Sequence, residues 1–107
     1  METKPFFWHT PLQEVVMELK REQNRIYAQD DTGTLLAEIT FPALTESVLC
    51  IDRTFVDPSL RGQGIGNLLV EKVVALAKEE DKQIKAQCPY AVGWFEKHPE
   101  YTYLLVE

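Results

Sequence analysis

Positive charge is scarce in this sequence. Eleven Lys and Arg residues stand against seventeen Asp and Glu, a formal net charge of −6 at pH 7. No segment gathers the cations into a stripe, so a nucleic-acid partner is not expected, because phosphate backbones are held by clustered Lys and Arg. Long apolar runs are missing too, which argues against a membrane-spanning helix and a membrane partner. The opening METKPFFWHTP has a short aromatic cluster but no extended apolar region and no small-residue cleavage site, so the expected location is cytoplasmic. Cysteine is sparse. Cys50 and Cys88 show no CxxC spacing, and His9 and His98 complete no ligand pattern, so no metal is expected. A disulfide between two such cysteines is disfavoured in a cytoplasmic chain. Internal repeats, low-complexity tracts and linkers are absent. What remains is 107 residues, 45% apolar and 26% charged, the make-up of one soluble domain over residues 1–107 with one modest core.

Residues 13–20, QEVVMELK, read as a short strand. Residues 24–29 alternate polar and apolar and run into DDTG, a strand entering a hairpin turn. Leu35, Ala37, Ile39 and Phe41 alternate with Leu36, Glu38 and Thr40, giving a second hairpin strand that ends near Pro42. Residues 47–56 are rich in β-branched and aromatic types and read as a third, more buried strand, broken by Asp57-Pro58. Apolar residues at 65, 68, 69, 73, 76 and 77 then follow the spacing of an amphipathic helix that ends within 78–82. Residues 83–88 read as a strand, Pro89 opens a shorter helix, His98-Pro99 stops it, and YTYLLV reads as a last strand. A strand, a long helix and a strand in succession imply a parallel pair with a crossover helix. The expected class is α+β: a single mixed, mostly antiparallel sheet with a central long helix and a short C-terminal one.

Between the third strand and the long helix lies SLRGQGIG, with three glycines in five residues. A helix N-terminus carries unpaired N–H groups and the positive end of the helix dipole. Glycines there let backbone approach an anion without a Cβ in the way. The dinucleotide fingerprint G-x-G-x-x-G fails, because Asn67 stands at its third glycine, and the P-loop fails for want of Gly-Lys-Ser/Thr. The pattern Gln/Arg-x-x-Gly-x-Gly/Ala is met by Arg61, Gly64 and Gly66. With TFVDPSLRGQGIG upstream and CPYAVGWFEKHPEY downstream, the chain resembles the GNAT superfamily of acyl-CoA-dependent N-acyltransferases over roughly residues 14–104. Its Cys-x-Tyr…His-Pro-Glu-Tyr ending is similar to the short YjdJ-type branch. The resemblance implies acetyl-CoA as cofactor, with its pyrophosphate on the loop and its pantetheine arm beside the strand ending at Val56. By that resemblance Thr54, Phe55, Val56, Arg61, Gly62, Gln63, Gly64, Ile65, Gly66, Asn67 and Cys88 are the expected cofactor contacts.

Acyl transfer needs a deprotonated amine, a polarised carbonyl and a proton for the leaving thiolate. The resemblance makes the Val56 N–H the carbonyl's partner, which requires the strands at 47–56 and 83–88 to splay apart. Many GNATs carry a tyrosine as acid in the final helix; here the aligned position is Phe95. Cys88, before a proline suited to the first helical position, is the replacement as acid or nucleophile, since a helix N-cap favours a thiolate. A small buried hydrophobe is the bland alternative, and it is the reading adopted for Cys50. Tyr90 offers a hydroxyl or plain packing, and His98 a base or a helix cap; both stand as catalytic candidates with Cys88. Trp94 and Tyr101 are expected in the core rather than as ligand platforms, and Asp52 and Glu38 facing solvent, with deprotonation of an amine through water as the alternative. Arg53 takes the place of a histidine common in the short branch, and is expected to face water or a CoA phosphate. Only KREQ separates the first two candidate strands, so the helices that shape the acceptor site in larger relatives are missing. The acceptor groove is then open or completed by a second subunit, in a monomer or homodimer. The expected activity is acetyl transfer to an amine, on a small molecule or a protein. The alternatives are an acetyl-CoA-binding sensor or docking module and a ligand-free domain whose glycine loop is a packing turn.

Overall fold

The computed structural model describes residues 6–9 and 16–106. Strands β1 (Phe6–His9), β2 (Val16–Glu22), β3 (Arg25–Gln29) and β4 (Leu35–Thr40) form an antiparallel meander, joined beyond β4 by β7 (Arg53–Val56). A second ladder holds β5 (Ala43–Thr45), β6 (Val48–Ile51) and β8 (Gln83–Ala86). Helix α1 (Ile65–Glu79) links β7 to β8, and α2 (Pro89–Lys97) follows. The strand expected at 13–20 starts in the structure at Val16; residues 13–15 lie outside the described residues. β1, which pairs Phe6 with Leu19 and His9 with Val16, was not expected as a strand.

Local chemistry accounts for the hairpin. The Asp30 carboxylate accepts the N–H groups of Thr32 and Thr34, both at 2.9 Å, and Gly33 supplies a φ of +86°. Those same bonds, the Thr32 hydroxyl's first, hold the Asp30 pKa below the usual carboxylate range. Alternation sends Ile26, Ala28, Ala37 and Ile39 to one buried face, against Leu69, Val70, Val73 and Ala77 of α1. Each fully buried branched side chain contributes about 1.5–3 kcal/mol of transfer free energy. The parallel pair expected around the long helix is β6 with β8, in the register Val48↔Gln83 to Ile51↔Ala86.

Two expectations are corrected. The strand at 47–56 is not continuous, and the single expected sheet divides with it into two ladders. Asp52 donates its N–H to the Thr40 carbonyl (3.3 Å), the residue that Arg53 already faces across the ladder. Two residues against one make a β-bulge, and the strand bends there. The YTYLLV tail is not a strand either. Pro99–Leu104 forms a 3₁₀ turn, and β pairing is limited to one parallel bridge, Ile84↔Leu105. Proline fixes φ at the start of that turn, and Tyr101 stacks on Trp94 with centroids 5.7 Å apart. That contact outweighs the β preference of the tail.

Candidate active site

The turn before α1 is built in steps. Asp57 caps a 3₁₀ turn at Pro58–Leu60, its Oδ2 accepting the Ser59 N–H (3.1 Å) and hydroxyl (2.5 Å). These bonds, the hydroxyl's first, lower the Asp57 pKa. Arg61 turns its Nε–H back to the Val56 carbonyl (3.3 Å). Gly62 and Gly64 then take φ of +83° and +78°, where side chains are strained. Gly64 is the N-cap and brings no side chain to occupy the helix amides. The first helical bond runs from the Leu68 N–H to the Gly64 carbonyl (3.0 Å). Among the described residues, the amides of 62–67 have no acceptor. Gln63 adds a second orphan: its Oε1 is buried with no hydrogen-bond partner.

Four residues of this turn, Gly62, Gly64, Ile65 and Gly66, border a cleft of about 530 Å³, with Thr54, Val56, Leu60, Arg61 and Tyr90. Beside it the edge of β7 is left unpaired, because β7 pairs with β4 and β8 with β6. The amides of Gln87 and Cys88 both end on the Ile51 carbonyl (3.0 and 3.1 Å), and beyond it β8 turns into α2. Asp57 donates to Leu36 of β4 (2.8 Å). The two-residue alternation of an antiparallel ladder then points the Val56 N–H away from β4, into the gap. A phosphate-bearing chain fits this setting on three counts: free amides at a helix N-terminus, no Cβ at Gly62, Gly64 or Gly66, and a strand edge left unpaired.

Cys88 is the N-cap of α2, as expected from Pro89 behind it. Its sulfur accepts the Ala91 N–H and touches the Thr54 hydroxyl, both at 3.4 Å, the second contact crossing the strand gap. Cys50 is core: 2% exposed, its S–H donated to Gln87 (3.2 Å), its thiol pKa raised by burial first and by Asp52 next. Tyr90 lies over α1. A Cβ on Gly66 would come within 2.8 Å of the Tyr90 hydroxyl, so the last glycine of the motif makes room for a tyrosine. Burial raises the Tyr90 pKa.

Other expected residues fall elsewhere. The ring of Phe55 stands on the opposite face of β7 from Thr54 and Val56, and Phe55 does not line the cleft. Asn67 is engaged by protein, accepting from Trp94 Nε1 (2.6 Å) and donating to Glu71 (3.2 Å). It lines a second cleft, on the other side of Tyr90, with Trp94, Lys97 and His98. His98 ends α2 there, its Nδ1 at 2.8 Å from the Trp94 carbonyl and its ring stacked 3.9 Å from Trp94. Phe95, at the position of the missing tyrosine, is 2% exposed and lines neither cleft. Glu38 corrects the expectation of a solvent-facing carboxylate. It is 8% exposed and lies between Arg25 Nε (2.5 Å) and Arg53 Nε (2.7 Å). Burial raises its pKa, but the bonds from Arg53 and Arg25 outweigh that and leave it lowered. Asp52 accepts the Thr40 hydroxyl.

A glycine-started helix with open amides, set against a sheet parted at a bulge, defines the frame of an acyl-CoA-dependent N-acyltransferase. The family model described as GCN5-related N-acetyl-transferase matches residues 25–104, and the chain belongs to that family. The peptidyl-lysine N-acetyltransferase YjaB of Salmonella typhimurium is 43% identical over 47 residues, 44% of this chain and 32% of that protein, so the match spans about a third of the relative's length. A GCN5-like protein of Staphylococcus aureus, solved by NMR, is 36% identical with a TM-score of 0.71, over 83% of this chain and 87% of its own. The Rv2747 protein of Mycobacterium tuberculosis, crystallised with CoA, shares the fold at 22% identity and a TM-score of 0.57, over 72% and 48% of the two chains. Among the described residues no group of three His, Cys, Asp or Glu is placed to hold a metal, and no helix is long and apolar enough to cross a membrane.

Proposed function

We propose that this protein moves the acetyl group of acetyl-CoA to an amine. The observation that carries the reading is the row of acceptor-free amides at 62–67, of which Gly62, Gly64, Ile65 and Gly66 line a cleft that also takes in Thr54 and Val56 of β7. The diphosphate rests on those amides and on the dipole of α1, with Arg61 at hand. The pantetheine arm runs along the free edge of β7, and the Val56 N–H donates to the thioester oxygen as charge builds there. Thr54, Gly62, Gly64, Ile65 and Gly66 complete this cofactor wall, and the unpartnered Gln63 Oε1 is the acceptor offered to a donor on the nucleotide.

The neutral amine attacks the thioester carbon, the C–N bond forms and the C–S bond breaks. Cys88 stands where the strands part, and the Ala91 N–H that its sulfur accepts at the start of α2 favours the thiolate left when its proton leaves. That proton passes to the departing CoA sulfur. The acylated nitrogen returns one to the Cys88 thiolate, and the protons balance. Tyr90 supports the anion at the start of α1. His98 is left as a helix cap. The setting is cytoplasmic, with a monomer or homodimer of one domain.

A second reading, a module that binds acetyl-CoA without turning it over, is favoured by Phe95, which brings no hydroxyl to the cleft. One experiment separates the two. Acetyl-CoA should raise the melting temperature of wild type and Cys88→Ala alike. With an amine acceptor, CoA release should fall about 100-fold in Cys88→Ala. Unchanged turnover would remove Cys88 from the mechanism. Binding without CoA release across an amine panel would select the second reading, and a Cys88-dependent acetyl adduct that an amine discharges would make the thiol a nucleophile.

A further inference from the structure

The sheet face opposite α1 carries a cluster that the cofactor cleft does not use. Cross-strand pairing places Tyr27 beside Glu38, Glu38 beside Phe55, and Thr40 between Arg25 and Arg53. Glu38 is the buried centre, with one arginine Nε on each carboxylate oxygen. The two arginines differ. Arg25 lies 3.7 Å over the Tyr27 ring and spends a terminal N–H on Glu22 (3.4 Å). Arg53 lies over Phe55 at 5.3 Å, is 53% exposed, and among the described residues its terminal amino groups meet no acceptor.

Arg53 is therefore a guanidinium fixed by one edge and presented by the other. A buried carboxylate holds Nε, a ring supports the plane, and the outward N–H fork keeps the geometry that matches a carboxylate. In a chain of net charge −6 this is a local device, not part of a general positive field. Its place in the chain matters as much. Arg53 is the first residue after the bulge, and its neighbour Thr54 reaches Cys88 through the other side of the strand gap. An amine approaching the thioester from the face away from α1 passes this fork. Arg53 is half-exposed and lines neither cleft beside Tyr90. An open half-exposed face suits an extended peptide more than a small molecule.

We propose that Arg53 is a specificity-determining residue of the acceptor side, and that it selects an acceptor amine in a peptide by taking the carboxylate of a neighbouring acidic residue. This rests on the acetyl-transfer reading above. The test is the kcat/KM of acetyl transfer to two lysine peptides that differ only in Asp or Asn beside the acceptor, with free aspartate as a third acceptor. Wild type should prefer the acidic peptide about fivefold, mainly through KM. Arg53→Gln should level the ratio, while Arg25→Gln, which loosens the other arm of Glu38, should keep it. Equal rates on both peptides with wild type, or a preference that survives in Arg53→Gln, would overturn the proposal and leave acetyl transfer standing. Free aspartate outpacing both peptides would overturn the peptide assignment. No CoA release with any of the three, despite a melting shift with acetyl-CoA, would sink this proposal and count against the transfer reading beneath it.

Discussion

Glu38 shows how one side chain can be misjudged from its position. Strand alternation gives the face on which a residue stands, and the sequence placed Glu38 on the polar one. It does not reveal that two arginines from flanking strands close over that carboxylate, because their meeting depends on register between β3, β4 and β7. The consequence is a pH-dependent contribution to stability. A free glutamate titrates near pH 4.3, about where it would in the unfolded chain. In the fold the value is lowered, burial being outweighed by the bonds from Arg53 and Arg25. The unfolded state then binds the proton more readily, so the stabilisation is complete above the ordinary carboxylate range and is lost as pH falls through the folded value. Glu38→Gln should cost about 2 kcal/mol near neutral pH. Urea midpoints at neutral pH and at about pH 3 check this. The gap between wild type and variant should narrow in acid, and a gap constant with pH would contradict the assignment. Cys88 was more legible than the carboxylate. Cys88 before Pro89 already marked a helix start, whereas its contact with Thr54 depended on a bulge that the sequence does not announce.

Helices and turns were the most readable elements, for physical reasons. The 3.6-residue apolar period of α1 and the Pro89 start of α2 are local signals, and both helices lie where those signals put them. The tail failed because its fate is decided by Tyr101 finding Trp94, a contact outside its own segment. The glycine turn tests whether local backbone freedom is what the element needs. Gly64 and Gly93 both have open space around an added Cβ, but only Gly64 lies at positive φ, +78°. Gly64→Ala should therefore lower stability by about 1–2 kcal/mol from strain alone. It should also shrink the melting shift produced by acetyl-CoA, because the amides behind the cap are re-aimed. Gly93→Ala, inside α2, should raise stability by about 0.5–1 kcal/mol. Paired thermal melts with and without acetyl-CoA read both effects. A Gly64→Ala variant as stable and as responsive as wild type would show that the left-handed turn is dispensable.

At the scale of the molecule, one irregularity organises the rest. The bulge at Asp52 divides the sheet, sends β6 to β8 and β7 to β4, and leaves a gap whose two sides carry different chemistry. The α1 side offers backbone amides and small residues; the opposite side offers Arg53 in its carboxylate mount. The succession of strand, long helix and strand foresaw the parallel pair, and the need for a splay came from the family resemblance alone. The place where it opens comes from two amides sharing the Ile51 carbonyl, which no periodicity encodes. The measurement that tests this account most directly is a titration of ¹⁵N-labelled protein with CoA, followed amide by amide. The account predicts that the largest shifts fall on residues 62–67 and Val56, and that CoA moves the 62–67 signals far more than pantetheine, which lacks the diphosphate. If CoA binds while those amides stay in place, or if pantetheine moves them as much, the diphosphate does not rest on the start of α1 and the functional assignment fails.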